Sequence, residues 1–419
     1  MPNVIKELQK RGFIDSIAGE ELDRIVEKPI KVYVGFDPTA DSLHLGNLVG
    51  IVLLKWFEKF GHQPVVLLGG GTGKIGDPSG KDKERPLLSE QAIEANVLSI
   101  KAQFEKCLEN PEYYNNDTWL SSYGLVDFLR DVGKHFRLGP MLAKESVRRR
   151  LNSDEGMSFT EFTYQMLQGY DFYHLFKHEQ VVLQVGGSDQ WGNITAGIEV
   201  TRKLCGSSVY GMTFPLLTRS DGKKFGKSEG GAIWLDPQKV SPYKFYQYLY
   251  HTPDADVGQL MRLLTFMDLD EIIDFETKIK EGTQLVNAAQ TRLAEEVTRF
   301  VHGKEGLSAA KKVTEIAAPG ADAQLDIQSI EAIAADMENV QFSRAEAIGV
   351  KLSDLVAKSG FMSSRGEVSR LIKNGGAYLN NQKVEDPLYL LSENDLIGGT
   401  YCIFGVGKKR KILFMVESK

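Results

Sequence analysis

The first half of the chain alternates two hydrophobic patterns. Short apolar runs typical of buried strands cover 31–36, 64–68 and 181–185, and a longer segment, 48–60, carries apolar residues at helical spacing. Strands that alternate with helices are typical of a parallel sheet covered by helices on both faces. Residues 1 to about 220 are therefore predicted to form an α/β domain.

Each predicted strand runs into glycine-rich sequence. The first ends around Gly35, the second in Gly69-Gly70-Gly71, and the third in Gly186-Gly187. In open α/β sheets, ligands bind beyond the carboxyl ends of the strands. The three glycine-marked ends therefore predict one shared crevice.

The pattern changes near residue 240. Ser241-Pro242 starts a mostly helical region, and a segment rich in Ala, Asp, Glu and Gln follows from about 317 to 345. The remainder predicts a helix that starts near Ser364 and ends near Lys373, followed by short strands. We expect four parts: an α/β domain over 1–235, a helical domain over 236–320, a linker over 321–346 and a small α+β domain over 347–419.

Composition narrows the class of protein. The chain has 419 residues, of which 42% are hydrophobic and 25% charged, as in globular domains. Its apolar runs are shorter than the roughly 20 residues of a membrane helix, and its N-terminus lacks the apolar core of a signal peptide. Three widely spaced cysteines argue against a disulfide framework or a thiolate zinc site. A cytoplasmic protein without membrane association is expected.

Charge is distributed unevenly along the chain. The net charge is −6, but residues 347–419 contain 11 Lys and Arg against 7 Asp and Glu, which leaves −10 for the other 346 residues. A basic tail on an acidic body favours binding of a polyanion by the tail. A chance fluctuation of four charges is the alternative.

The segment 37–47, DPTADSLHLGN, lies where the first strand leads into a helix. Backbone N–H groups and the helix dipole favour anions at such a turn. His44 can donate to a phosphate, and Gly46 lets a nucleotide approach the backbone. Far downstream, Lys224 and Lys227 flank Gly226 in a loop suited to a transferring phosphate group. For a single lysine, a solvated surface charge is the commoner role.

These two segments together resemble the two signatures of class I aminoacyl-tRNA synthetases. The longer run 33–46, YVGFDPTADSLHLG, narrows the resemblance to the bacterial tyrosyl-tRNA synthetase family. Further matching segments are 76–81 (GDPSGK), 158–164 (SFTEFTY), 167–172 (LQGYDF) and 186–193 (GGSDQWGN).

The resemblance covers nearly the whole chain and implies a Rossmann-like, doubly wound catalytic domain. It implies an enzyme that makes tyrosyl-adenylate from L-tyrosine and Mg-ATP and then transfers tyrosine to the terminal adenosine of tRNA(Tyr). It also implies a homodimer, and 124–137 is apolar enough to be either an interface or plain core. No tightly bound, protein-ligated metal is expected.

The resemblance assigns six residues to the amino acid. Tyr33 and Asp171 would bind the phenol, because a buried polar pair is satisfied by a hydroxyl and left unpaired by phenylalanine. Tyr164 and Gln168 share a helical face with Asp171, and with Asp77 they would hold the α-ammonium. Each assignment has a structural alternative. Tyr33 could be an ordinary strand tyrosine, Asp171 a carboxylate on a helix surface, and Asp77 a cap of the turn before Pro78. The full set is Tyr33, Asp77, Tyr164, Gln168, Asp171 and Gln190.

The resemblance assigns a second set to ATP and to the chemistry. Glycines and acidic side chains would frame the nucleotide and its ribose, and basic and hydroxyl side chains would stabilise the pentacoordinate phosphate. The nucleotide-binding residues are Gly35, Asp37, His44, Gly46, Gly187, Asp189 and Lys227. The catalytic residues are Thr39, His44, Asn47, Lys81, Arg85, Lys224, Lys227 and Ser228.

One position departs from the family pattern, which ends in a second histidine where this chain has Asn47. Asparagine can still donate a hydrogen bond but cannot become cationic. Activity is expected to persist with altered pyrophosphate or ribose contacts. Asn116 and Trp119 align with a family segment near the substrate, although the residues around them differ.

Two basic regions are candidates for tRNA contact. Arg148 and Arg149 lie on a predicted helix, where a solvated face is the alternative. The tail resembles a small RNA-binding fold first described in a ribosomal small-subunit protein (the S-four type), through 351–355, 364–372 and 376–380. A rigid basic platform suits folded RNA, which is read mostly by shape and backbone. The tail candidates are Arg365, Arg370, Lys373, Lys408 and Lys409.

Three other functions compete with this interpretation. A tryptophanyl-tRNA synthetase shares the fold, but Tyr33 and the tail argue against it. A nucleotidyltransferase that adenylates a small acid leaves the tail unexplained. A non-catalytic RNA-binding relative is disfavoured because His44, Gly46, Lys224 and Lys227 are intact.

Overall fold

The structure is a computed structural model that describes residues 3–79, 86–222, 225–228, 231–317, 327, 330, 334, 337–407 and 410–417. The chain forms two compact units. The first comprises 1–240 and 249–301, and the second comprises 241–248 and 302–419.

The first unit is built on a six-stranded sheet in the order β1-β6-β5-β2-β3-β4. All neighbours pair in parallel except β1, which is antiparallel to β6. The chain leaves β2 towards β3 on one side and returns to β5 on the other, so ligands are expected at the carboxyl ends of β2 and β5. The strands are β1 (Ser16–Ala18), β2 (Lys31–Phe36), β3 (Gln63–Leu68), β4 (Glu112–Asn115), β5 (Val181–Gly187) and β6 (Tyr210–Phe214).

Helices connect these strands and cover the sheet. They are α1 (Val4–Arg11), α2 (Leu22–Ile25), α3 (Leu48–Lys59), α4 (Glu90–Cys107), α5 (Asp117–Leu120), α6 (Leu125–Asp131), α7 (Leu138–Ala143), α8 (Glu145–Leu151), α9 (Phe159–Glu179) and α10 (Trp191–Cys205). Four 3-10 helices cover Leu45–Asn47, Thr72–Lys74, Gly133–His135 and Ser188–Gln190. The short strands β7 (Lys227–Ser228) and β8 (Gly231–Ala232) pair as a separate hairpin.

The long helix α9 carries much of the site. Its N-cap is Ser158, whose hydroxyl accepts the Glu161 N–H, and it ends at Gln180 in the left-handed region (φ +60°). The helix buries Phe172 edge-on against Tyr33 of β2, with ring centroids 5.3 Å apart. Both side chains are fully buried, so α9 is fixed against the centre of the sheet.

The predicted α/β fold with a parallel sheet is confirmed, and the helical region that follows packs differently from the expected separate domain. It comprises α11 (Pro242–Tyr250), α12 (Asp254–Leu264), α13 (Leu269–Glu281) and α14 (Ala288–Ala317), which is interrupted at Gly303 (φ +72°). Residues 249–301 belong to the first unit. The Phe266 ring lies 5.2 Å from Trp56 of α3, and burying such aromatic surface favours this packing.

The second unit contains a five-stranded sheet in the order β11-β10-β12-β13-β9 around its own apolar core. Ser364 caps the helix that the sequence predicted, by accepting the Glu367 N–H. The expected linker, 321–346, is not a plain connection at its end, because β9 pairs in parallel with β13. The elements are β9 (Asn339–Phe342), α15 (Arg344–Ala347), α16 (Leu352–Lys358), α17 (Arg365–Lys373), β10 (Ala377–Leu379), β11 (Gln382–Lys383), a 3-10 helix (Glu393–Asp395), β12 (Tyr401–Val406) and β13 (Arg410–Val416).

Within the described residues, no helix has an apolar stretch long enough to cross a bilayer.

Candidate active site

A cleft of about 630 Å³ opens at the carboxyl ends of the central strands. Most of the predicted site residues come together on its walls, although they are spread over nearly 200 positions of sequence. Those that line it are Tyr33, Gly35, Asp37, Thr39, His44, Gly46, Asn47, Asp77, Arg149, Tyr164, Gln168, Asp171, Gly187, Asp189, Gln190 and Lys227.

The other predicted residues lie elsewhere or outside the described part of the chain. Arg148 is exposed on α8 and does not line the cleft, and Ser228 ends β7. Three basic residues are exposed on α17 of the second unit: Arg365, Arg370 and Lys373. The residues outside the described ranges are Lys81, Arg85, Lys224, Lys408 and Lys409.

One end of the cleft is a buried polar pocket around Asp171, whose exposed fraction is 1%. The Asn116 amide donates to Oδ2 at 2.8 Å, and the Trp119 indole N–H donates to Oδ1 at 2.7 Å. Tyr33 is fully buried beside them, and its hydroxyl has no hydrogen-bond partner. A buried hydroxyl without a partner is unfavourable, so this pocket suits a ligand that brings its own hydroxyl.

Burial also shifts the acidity of this pocket. It raises the pKa of Asp171 to about 7, and the nearby Asp37 carboxylate adds to the rise, while the bonds from Asn116 and Trp119 oppose it. Burial, and then the charge of Asp171, raise the pKa of Tyr33 well above its usual value. The Tyr33 hydroxyl is therefore a neutral donor at any physiological pH.

A chain of hydrogen bonds connects this pocket with Asp37, at the end of β2. The Asn116 amide also donates to the Thr72 hydroxyl (2.9 Å), and that hydroxyl donates to Oδ1 of Asp37 (2.8 Å). The Tyr164 hydroxyl donates to Oδ2 of Asp37 at 2.9 Å. Both carboxylate oxygens of Asp37 are thus held by side chains from different elements, which fixes the carboxylate towards the cleft.

Gly69 makes this arrangement possible. A Cβ at this position would lie 2.2 Å from Oδ1 of Asp37 and 2.6 Å from Oγ1 of Thr72. These distances are far below van der Waals contact, so only glycine leaves room for the two hydrogen-bonded side chains. The glycine-rich end of β3 therefore serves packing against Asp37 as well as ligand approach.

A cluster of amides and a carboxylate forms the middle of the cleft. Gln190 donates to Oδ2 of Asp77 at 2.7 Å, and Gln168 donates to the Gln190 amide oxygen at 3.3 Å. Asn193 donates to the Gln168 amide oxygen at 2.9 Å. Asp77 also caps its own turn by accepting the Ser79 N–H (2.9 Å). This concentration of acceptors suits a bound ammonium group.

The histidine–glycine turn forms the opposite wall. Nδ1 of His44 accepts the Gly46 N–H (3.1 Å), and Oδ1 of Asn47 accepts the His44 N–H (3.0 Å). Since Nδ1 acts as an acceptor, the neutral imidazole carries its proton on Nε2, which makes that atom the donor. The turn leads directly into α3, and its N-terminal dipole favours an anion here.

The segment that contains Lys227 is anchored to this turn by backbone bonds. The Leu45 N–H donates to the Ile233 carbonyl and the Leu235 N–H to the Leu43 carbonyl, both at 2.8 Å. The Ile233 N–H donates to the Gly226 carbonyl at 2.9 Å, and Gly226 has φ +82°, which favours glycine. The two motifs recognised in the sequence are thus neighbours in space.

Sequence reasoning left several contributors out. Asn116 and Trp119 were only aligned candidates, and Thr72 and Asn193 were not identified. Asn116 and Thr72 are almost completely buried, and polar residues at such positions need partners. A polar residue within an apolar pattern is the only signal that the sequence could have offered.

Comparison with known proteins agrees with this geometry. Residues 26–317 match the family described as tRNA synthetases class I (W and Y), and residues 329–414 match the tyrosine–tRNA ligase SYY-like C-terminal domain. The chain belongs to the class I tRNA synthetases. The resemblance found in the sequence motifs is therefore confirmed.

Curated relatives of this family match over nearly the full chain. A tyrosine–tRNA ligase of Protochlamydia amoebophila is 52% identical over 419 residues, which cover 99% of each chain. A chloroplastic/mitochondrial tyrosine–tRNA ligase of Arabidopsis thaliana is 47% identical, over 99% of this chain and 84% of the relative. The solved, C-terminally truncated mitochondrial tyrosyl-tRNA synthetase of Aspergillus nidulans is 32% identical with a TM-score of 0.66, over 74% of this chain and 93% of that chain.

Proposed function

We propose that this family member is a tyrosine–tRNA ligase, which activates L-tyrosine with ATP to tyrosyl-adenylate and pyrophosphate and then transfers tyrosine to tRNA(Tyr). The observation that carries the proposal is the buried pair of Tyr33 and Asp171 at the closed end of the cleft. The Tyr33 hydroxyl lacks a partner, and a substrate phenol supplies one. Phenylalanine would leave the pair unsatisfied, which is unfavourable for a buried polar group.

The middle of the cleft supports binding of the amino acid's charged end. With the phenol at Asp171, the α-ammonium would be held by the acceptors of Asp77, Gln168 and Tyr164. The substrate carboxylate would then lie near Gln190 and face the nucleotide. Holding both reactants in this orientation converts a bimolecular encounter into a reaction within one complex.

In the first step, a carboxylate oxygen of tyrosine attacks the α-phosphorus of Mg-ATP. A new C–O–P linkage forms, the bond to the bridging oxygen breaks, and pyrophosphate leaves with its electron pair. The His44 Nε2–H, the N-terminus of α3 and Lys227 are the described groups suited to stabilise the developing charge. Thr39 and Asn47 also line the cleft, and the predicted residues Lys81, Arg85 and Lys224 belong to the same proposal.

In the second step, a ribose hydroxyl of the terminal adenosine attacks the acyl carbon, and AMP leaves. Exposed Arg149 on the cleft wall is suited to a phosphate of the acceptor end. The basic residues of α17 are suited to the phosphates of a second part of the tRNA. A tRNA-charging enzyme works where ATP and tRNA are found, and we place it in the cytoplasm.

The homodimer is part of this proposal and is supported by exposed apolar surface. Leu125 and Val126 of α6 are 74% and 76% exposed, and Phe159 at the start of α9 is 76% exposed. Contiguous exposed apolar surface is typical of protein–protein interfaces, and Leu125 and Val126 are adjacent on one helix. We propose that a second copy of the chain covers it.

The test is ATP–pyrophosphate exchange with each amino acid singly and without tRNA. Exchange with tyrosine, and not with phenylalanine or tryptophan, is the expected result. Exchange with tryptophan would assign the chain to the other specificity of the family. Absence of exchange with every amino acid would contradict an adenylating enzyme.

A further inference from the structure

The loop that carries Lys224 and Lys227 is called the lysine loop below. The segment that precedes it is held by Asp256, which does not line the cleft. The Ser220 N–H donates to Oδ1 of Asp256 at 2.9 Å. A tight turn follows, in which the Gly222 N–H donates to the Arg219 carbonyl and Gly222 has φ +80°. After the turn, the Phe225 N–H donates a hydrogen bond to the Leu217 carbonyl at 3.1 Å. Asp256 thus meets the loop at its N-terminal limb.

The burial of Asp256 is unusual for a carboxylate. It is 6% exposed, and its Oδ2 atom has no hydrogen-bond partner. Burying a charged group with one unsatisfied oxygen is unfavourable, and the other buried residues around it on α12 are apolar, such as Val257 and Leu260. Its place in the first turn of α12 offsets part of this penalty through the helix dipole. An apolar side chain would pack here more favourably, so the acceptor itself is what the position supplies.

The helix that carries Asp256 is itself fixed on the far side from Ser220. Gln290 of α14 donates to Oδ1 of Asp254 at 2.5 Å. Arg262 at the other end of α12 pairs with both carboxylate oxygens of Glu276 on α13. These contacts fix α12 to α13 and α14, neither of which carries a residue that lines the cleft.

We propose that Asp256 is a positioning residue for the lysine loop. Its carboxylate fixes the chain at Ser220, and this sets where Lys227 enters the nucleotide end of the cleft. This inference rests on the proposed function, since it assigns the loop to the ATP half of the reaction. The tyrosine pocket is built from β2, α5 and α9, so it does not depend on Asp256.

The test measures pyrophosphate exchange in the full chain, with active-site titration to count competent sites. Asp256→Ala removes the acceptor and is expected to raise the KM for ATP about tenfold, as loss of a hydrogen bond to a charged group would, while the KM for tyrosine stays within about twofold. Asp256→Leu fills the space without an acceptor and is expected to act alike, which keeps the test valid if the alanine variant does not fold. Asp256→Asn retains an acceptor oxygen and should restore an ATP KM near that of the unaltered chain.

Asp274→Ala is the control, because it removes an exposed carboxylate whose ion-pair partner, Lys278, lies on the same helix, α13. It should leave the KM for ATP unchanged. An unchanged ATP KM in Asp256→Leu, or an equal rise for ATP and tyrosine, would overturn the inference while leaving the proposed function intact. Lack of exchange in the unaltered chain would instead contradict the proposed function itself.

Discussion

Trp119 and Asp171 are 52 positions apart in the chain, and the indole N–H of one donates to the carboxylate of the other at 2.7 Å. The indole is held in turn by a stack on His174, with ring centroids 4.2 Å apart. The carboxylate that reads the substrate phenol in our proposal therefore depends on a neighbour that does not itself line the cleft.

Trp119→Phe should weaken tyrosine binding and leave ATP binding unchanged. A smaller aromatic ring replaces the indole and the N–H donor is lost, and a hydrogen bond to a charged group contributes roughly 1.5–3 kcal/mol. We expect the KM for tyrosine in pyrophosphate exchange to rise about tenfold or more. Trp56→Phe is the control, since the Trp56 indole is buried without a hydrogen-bond partner. Equal tyrosine KM values in the two variants would count against the role of Trp119.

Tyr33→Phe should separate stability from activity. The variant removes a buried hydroxyl that has no partner in the unliganded chain, so thermal unfolding should occur at the same or a higher temperature, with a gain of up to about 1–2 kcal/mol. The KM for tyrosine should nevertheless rise, and discrimination against phenylalanine should fall. A marked loss of stability would show that the hydroxyl has a partner within the protein.

Gly69→Ala should damage the site through crowding. The new methyl group would collide with Asp37 and Thr72, and forcing extra volume into a packed site costs typically about 1–3 kcal/mol. We expect a lower melting temperature and a loss of exchange activity of about tenfold or more. Gly366→Ala on α17 is the control, since a Cβ there meets nothing within 4 Å. Full activity in Gly69→Ala would mean that Asp37 can move without consequence.

The titration of Asp171 should make the stability of the folded chain depend on pH. Its pKa is about 7 in the folded chain, against about 3.9 for an exposed aspartate. Between these values the folded chain holds a proton that the unfolded chain has released, so raising the pH lowers the free energy of unfolding. Asp171→Asn cannot titrate. The stability of the unaltered chain relative to this variant should therefore fall from about pH 4 to about pH 7. Denaturant unfolding at a series of pH values measures this difference. A rise over the same range would contradict a raised pKa of Asp171.

Val126→Asp should reduce self-association if a second copy covers α6. A charge placed in an apolar contact must be desolvated, which disfavours the assembled form. Light scattering should show the unaltered chain as a dimer and the variant shifted towards the monomer. Leu98→Asp on α4 is the control, because Leu98 is similarly exposed (69%). This variant should remain dimeric. A monomeric unaltered chain would refute the proposed homodimer.

The sequence predicted the elements that local patterns encode. The strand over 31–36 has the bounds of β2, and the helical face of Tyr164, Gln168 and Asp171 lies on the cleft as expected. What it did not predict are pairings across distant segments, such as that of Tyr164 with Asp37, because periodicity reports burial and not the identity of a partner. The position of 249–301 was missed for the same reason, since an apolar helix face does not state which surface it covers.

The backbone bonds between 43–45 and 233–235 have a consequence for how the protein is made. The histidine–glycine turn emerges early in translation, but the segment that pairs with it, at Trp234, is synthesised about 190 residues later. The same delay applies to β1, whose partner is β6. A nascent chain that has reached residue 200 therefore contains the residues of the phenol-reading pocket and of the histidine–glycine turn, but not the Lys227 segment that pairs with the turn. The cleft is therefore completed only after the segment that contains Lys227 has been synthesised.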